Sequence, residues 1–201
     1  MGINFLSYIN VCYFNRIYLC INKFINNKKQ NIMATKWNLD PTHSEITFKV
    51  RHMMISNVKG SFTNFSAELE AEDDTFKNVN VKTTIQTDSV NTHNADRDNH
   101  LKSEDFFNVA ANPEITFESS ALNSEITGNL TLNGVTKPIE LDVDFGGINV
   151  DPWGNTKAGF SFEGKISRKD FGLNWNAALE TGGVMVSDEV KIAGELQFVK
   201  A

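Results

Sequence analysis

The chain of 201 residues is poor in cysteine, proline and glycine, with 2, 4 and 13 of each. So little proline and glycine, without a repeat, excludes collagen-like and low-complexity chains. Both cysteines, Cys12 and Cys20, fall within the first 32 residues. Beyond them no thiol is available as nucleophile, metal ligand or disulfide half, and cysteine usage does not identify a redox compartment. Basic charge is also short. Against 25 Asp and Glu stand 19 Lys and Arg, giving a net charge of −6 and a pI near 5.2. That balance excludes the basic stripe of a nucleic-acid partner. No Gly-x-Ser-x-Gly elbow and no phosphate-cradling glycine loop is present. Two of His93, Asp96 and His100 could share a helix face as weak metal ligands, but a flexible acidic loop explains them as well, so neither catalysis nor a metal is expected. What is abundant is phenylalanine, 15 residues against 3 Tyr and 3 Trp, an aromatic surface without polar handles.

The chain changes character near residue 33. Residues 1–32 contain no Asp or Glu and carry Arg16, Lys23, Lys28 and Lys29, a net +4 against −10 for the remainder. Their apolar stretch is interrupted by Asn4, Asn10, Asn15 and Arg16, and no small-x-small cleavage site precedes the change. A membrane span needs about 20 mostly apolar residues in a row. The segment is expected to be a non-native or disordered leader, with Met33 the working start and residues 33–201 the domain. A signal or anchor is the alternative. The expected location is cytoplasmic if Met33 is the start and otherwise periplasmic or secreted, with no stable membrane insertion.

From residue 33 onward, strand-period alternation dominates. Ile46, Phe48 and Val50 share a face; so do Ala67, Leu69 and Ala71 after Phe62 and Phe65, and Val79, Val81, Thr83 and Ile85. Ile115 and Phe117 follow Pro113; then come Ile126, Gly128, Leu130 and Leu132, and Ile139, Leu141, Val143 and Phe145. Ala158, Phe160, Phe162 and Ile166, with a bulge expected near Gly164, and Val190, Ile192, Gly194, Leu196 and Phe198 complete eight strands. Asn133-Gly134 and Asp151-Pro152-Trp153-Gly154 read as tight turns, Gly182-Gly183 as a mobile loop. Pro138 belongs near a strand start or on an edge. Residues 94–102 read as a short helix capped by Asn94, and a second short turn covers His52 to Asn57.

Eight antiparallel strands with one apolar face each make a sandwich or a closed barrel, and the count favours the barrel. Small inner residues, Gly128, Gly194, Ala158 and Thr83, point to a cavity, with a solid core as the alternative.

Several words recur in family order: Trp37-Asn38-Leu39-Asp40-Pro41-Thr42-His43-Ser44, Phe48-Lys49-Val50-Arg51-His52-Met53, and Arg97-Asp98-Asn99-His100-Leu101. Asp105-Phe106-Phe107, Gly128 to Thr136, and Arg168-Lys169-Asp170-Phe171-Gly172-Leu173 follow. From Trp37 to about Val199 the chain resembles the YceI-like lipid- and polyisoprenoid-binding family. The resemblance implies an all-β, eight-stranded antiparallel lipocalin-like barrel with one or two short helices. It implies a long-chain lipid carried inside (a polyisoprenoid, an isoprenoid quinone or a fatty-acid-like chain), no cofactor beyond that ligand, and compatibility with a homodimer.

The expected lining is Phe48, Phe117, Phe145, Phe160, Phe162 and Phe198, with Phe106 from its motif. His52 and Met54 are placed at the entrance, though His52 reads equally as a packed histidine. Arg97, His100 and Arg168 are candidates for a polar head group. The competing role for Arg97 and Asp98 is a salt bridge bracing the helix; His43 is expected to stabilise a strand-end turn. Function therefore reads as a lipid carrier, or as a stress or redox accessory that sequesters a quinone, or as a solid-core interaction module.

Overall fold

The computed structural model describes residues 34–119, 125–180 and 182–201. The leader expected over residues 1–32 lies outside the described residues. The strands are β1 (Thr35–Leu39), β2 (Glu45–His52), β3 (Ser56–Phe62), β4 (Phe65–Ala71), β5 (Val79–Gln86) and β6 (Val90–Asn91). After helix α1 (Ala95–Lys102) come β7 (Glu114–Ser119), β8 (Glu125–Leu132), β9 (Val135–Val150), β10 (Thr156–Ser167) and β11 (Val186–Lys200). None of the described helices is long and apolar enough to cross a membrane.

All strand pairs are antiparallel, and β1 pairs with both β4 and β11, which closes the sheet on itself. Although eleven strands are recorded, the wall has eight. β1 and β2 lie end to end along β11, β1 opposite Phe198–Lys200 and β2 opposite Val186–Glu195. β3 and β4 likewise continue one another, β5 and β6 do so across the 3-10 turn Thr87–Ser89, and the other strands complete an up-and-down barrel. The fold is the expected lipocalin-like barrel.

The break between β1 and β2 has a local cause. Pro41 lacks an N–H for the ladder, and Asp40 caps the 3-10 turn Pro41–His43 by accepting from Thr42 N at 3.1 Å. Its carboxylate also takes the Thr42 hydroxyl at 2.6 Å, Lys157 Nζ at 2.9 Å and His43 Nδ1 at 2.9 Å. These partners, the Thr42 hydroxyl first and Lys157 second, hold the Asp40 carboxyl well below the usual carboxylate range. His43 thus takes the strand-end role expected of it.

Helix α1 starts where Asn94 Oδ1 accepts Arg97 N at 2.9 Å. Asn133 and Gly134 turn β8 into β9 with positive φ at both positions, 51° and 73°. Pro138 lies near the start of β9, before its pairing with β10 begins at Leu141. The bulge is not at Gly164, which pairs in register with both Leu141 and Ile192. The register shift falls instead between Gly159 and Phe160, where β9 inserts Gly146 between Phe145 and Gly147. Gly164 keeps the inward phase of Phe160 and Phe162 and leaves room for the Leu141 side chain.

Two apolar clusters fill the barrel unequally. Trp37, Leu69, Ala71, Phe76, Val79, Ala158, Phe160 and Phe198 close the end where β1 begins and β11 finishes. Phe76 drops in from the β4–β5 loop, 5.1 Å from the rings of Trp37, Phe145 and Phe160. The second cluster, including Ile46, Phe62, Phe107, Ile115, Leu130, Leu132, Phe171 and Leu173, surrounds a space.

Candidate functional site

Inward residues of a filled barrel are buried. Here Phe48, Val81, Ile85, Phe117, Ile139, Val143, Phe162, Ile192 and Leu196 face inward and are only half-buried, because they line an internal cavity of about 350 Å³. Its walls are almost wholly aliphatic and aromatic; Thr47, His52, Thr83, Arg97, His100 and Arg168 are the exceptions apart from the indole N–H of Trp175.

Three phenylalanines along this wall are each accommodated by a glycine on the neighbouring strand. A Cβ at Gly60 would stand 2.7 Å from Phe48 Cε1, at Gly128 2.5 Å from Phe117 Cε2, and at Gly194 2.5 Å from Phe162 Cε1. The glycines do not themselves create the void; the rings occupy the room they leave at the wall. Ala158 belongs to the closed end, and Thr83 alone of the four small residues lines the cavity.

The cavity reaches half-exposed residues at the end carrying α1. There His100 meets Trp175 at 4.9 Å and Phe106 at 5.1 Å edge to face, and its Nε2 bonds Asp105 Oδ2 at 2.9 Å. Arg97 uses Nε to reach Thr92 Oγ1 at 2.7 Å and Nη2 to reach the Thr92 carbonyl at 2.8 Å. Asp98 accepts from the same residue, Thr92 N at 2.8 Å and Thr92 Oγ1 at 2.5 Å. The helix is therefore braced through Thr92 and not by an Arg97–Asp98 ion pair. Two of the five N–H groups of Arg97 are engaged in this way, and the guanidinium lies on the cavity wall.

Arg168 is different. It is buried, and its guanidinium donates to the carbonyls of Leu173 at 2.6 Å, Trp175 at 2.7 Å and Ser187 at 3.0 Å, with Val186 O and Asp188 Oδ1 each at 3.5 Å. All five donors are engaged, so Arg168 ties the 3-10 turn Arg168–Phe171 to the start of β11 and has none left for a head group. Burial pushes its pKa down and Asp188 pulls it back up.

Ten of the twelve expected residues meet on the wall: Phe48, His52, Arg97, His100, Phe106, Phe117, Phe160, Phe162, Arg168 and Phe198. Phe145 and Met54 do not. Phe145 keeps the inward phase of β9 but lies beyond Asp142, the last β9 residue paired with β8, and packs on Phe76 and Phe160, 41% exposed. Met54 is at the tip of the β2–β3 turn, exposed and not part of the cavity lining. Leu101, Phe107, Trp175 and Met185 line the cavity and were not anticipated. Trp175 and Met185 come from the irregular segment before β11, where no periodicity marks an inner face. Among the described residues no three His, Cys, Asp or Glu side chains gather as a metal site.

The YceI-like domain matches residues 37–198. UPF0312 protein SERP2314 of Staphylococcus epidermidis is 40% identical over 166 residues, which span 82% of this chain and 97% of that protein. The Campylobacter jejuni YCEI protein superimposes with a TM-score of 0.65 at 34% identity, over 75% of this chain and 90% of the other. A polyisoprenoid binding domain from Saccharophagus degradans, implicated in plant cell wall breakdown, shares the fold with a TM-score of 0.64 at 17% identity, over 82% of this chain and 98% of its own. The barrel, its motif words in order and a relative alignable over nearly its full length lead to one conclusion: the chain belongs to the YceI-like family.

Proposed function

We propose that the protein binds a long apolar chain, a polyisoprenoid or a similar lipid, inside the barrel and acts as a carrier and not as a catalyst. The observation that carries this reading is the cavity of about 350 Å³ with half-buried Phe48, Phe117 and Phe162 along its wall. A hydrocarbon chain offers nothing to hydrogen-bond, so recognition must come from a dry channel of the right width, at about 0.8 kcal/mol per buried CH₂. Part of that gain is lost in ordering the chain. A solid-core interaction module would have no such space. The polyisoprenoid binding domain named above has the same barrel, which supports the class of ligand.

Arg97 and His100 would meet the polar head, Arg97 with the guanidinium edge that Thr92 does not occupy. A quinone head is the second reading: the edge-to-face cluster of His100, Phe106 and Trp175 offers aromatic surface for a planar ring. Organic-solvent extraction of the purified protein followed by mass spectrometry tests both. A co-purifying isoprenoid or acyl lipid is expected, and a quinone among the extracts decides for the second reading. A protein that carries no lipid and takes up none overturns the carrier.

A further inference from the structure

The eight large apolar side chains exposed among the described residues fall into two groups at opposite ends of the barrel. Phe145, Ile148, Val150 and Trp153 belong to the β9–β10 hairpin. Met53, Met54, Ile55 and Val184 belong to the β2–β3 turn and the loop before β11.

The second group is unusual in its backbone, its composition and its position. Ile55 N bonds the His52 carbonyl at 3.2 Å, and both central residues of this turn are left-handed, Met53 at φ 50° and Met54 at φ 61°. Asn and Gly ordinarily fill such a turn, as Asn133 and Gly134 do between β8 and β9. Methionine is strained there by its own Cβ, so turn chemistry does not explain the pair. The described residues contain three methionines, and all three meet here: Met53 N donates to the Met185 carbonyl at 2.7 Å. Met185 and His52 in turn line the cavity, so the exposed tip continues the cavity wall outward. Arg51 Nη2 donates to the Met54 carbonyl at 2.9 Å and holds a cation beside the apolar tip.

We propose that this methionine tip docks on a lipid bilayer and that the cavity exchanges its ligand with the membrane through this end. The proposal rests on the lipid-carrier reading. A long apolar chain pays its full hydration cost if it crosses water, and a rim in contact with acyl chains avoids that step. Met54 is 57% and Ile55 78% exposed, flexible and isolated apolar groups respectively that suit a disordered acyl surface. A cation held beside them sits where lipid phosphates lie. In the other group Phe145 stacks at 5.0 Å on Phe160 of the cavity wall, but Phe76 packs at 5.1 Å on both rings and fills that end of the barrel.

Flotation of the full chain with phosphatidylcholine–phosphatidylglycerol vesicles, with no ligand added, tests docking alone. The parent is expected to float, the double variant Met54→Asp, Ile55→Asp to lose on the order of tenfold in vesicle affinity, and Trp153→Asp to behave as the parent. All three carry the same leader, so its contribution cancels. In a second arm the fluorescent fatty acid cis-parinaric acid is offered from vesicles or from ethanol. The double variant should take it up more slowly from vesicles and at the parental rate from ethanol. Insensitivity of both arms to the double variant, or sensitivity to Trp153→Asp in its place, overturns docking, and uptake from ethanol then leaves the carrier reading intact. No uptake by either route counts against the carrier reading, while flotation still judges docking. If the double variant melts below the parent, Ile55→Ser, at the most exposed position of the turn, replaces it with the same expected direction.

Discussion

Phe76 and Phe117 are the same side chain in opposite settings, and the contrast between them is the contrast between the two ends of the barrel. Phe76 is buried on all sides by Trp37, Phe145 and Phe160. Phe117 lies over Gly128 with its free face on the cavity. The first residue holds the fold together; the second keeps a space open. A barrel that hosts an apolar chain must spend part of its apolar surface on a wall that is only half-satisfied without its ligand, and the closed end supplies the stability the wall forgoes.

Four substitutions probe this division, with the largest effect at Phe76. Phe76→Ala is expected to cost about 3–5 kcal/mol in urea unfolding, the range for a fully packed ring. Phe117→Ala, which loses contacts on one face only, should cost less than half as much; equal costs would mean that the two ends are packed alike. Arg168→Met leaves the carbonyls of Leu173, Trp175 and Ser187 without their donor, and a loss of about 3 kcal/mol is expected. If Arg168 instead served a head group, the same variant would keep its stability and lose ligand. Gly194→Leu brings a Cβ to 2.5 Å from Phe162 and 2.7 Å from the Glu45 carbonyl oxygen, so it should destabilise by about 1–3 kcal/mol whether or not the cavity is occupied. A melting temperature equal to the parent's would mean that the Phe162 ring can leave the wall.

The smallest effect is a pH dependence at the β1–β2 break. Asp40 has a lowered folded pKa, while in the unfolded chain it titrates near about 3.9. Its stabilisation is therefore complete above about pH 5. Below about pH 4 the unfolded chain takes up a proton that the folded one resists, and stability falls as pH falls. Asp40→Asn should be less stable than the parent at neutral pH, and the gap should narrow between about pH 4 and pH 3. A constant gap in chemical unfolding across that range would remove Asp40 from the account.

Much of the wall was legible in the residues. The alternation from Ile46 to Val50 and from Ile126 to Leu132 names the inward faces that the structure shows. Asn133-Gly134 marks its turn, and Asn94 its helix start. What misled was phase without neighbours. Phe145 alternates correctly with Val143, yet the β8 pairing has already ended at Asp142, and nothing in β9 itself records where another strand stops. Gly194 and Gly128 read as empty space because composition gives a residue's size and not what lies across from it. Arg168 read as a ligand-binding cation because its carbonyl partners, at Leu173, Trp175 and Ser187, lie on a loop and a strand that only folding brings to it.

The sequence by itself determined the strand period, the apolar face of each strand, the turns and the family, because each is a local pattern that the chain repeats at short range. Only the tertiary structure decided that β1 closes the ring between β4 and β11, that Phe76 seals one end, that a cavity remains at the other, and that Met185 joins the Met53–Met54 pair at its rim. Those outcomes depend on which residues distant in the chain come within a few ångströms of each other, and that is a property of the closed barrel and not of any of its strands.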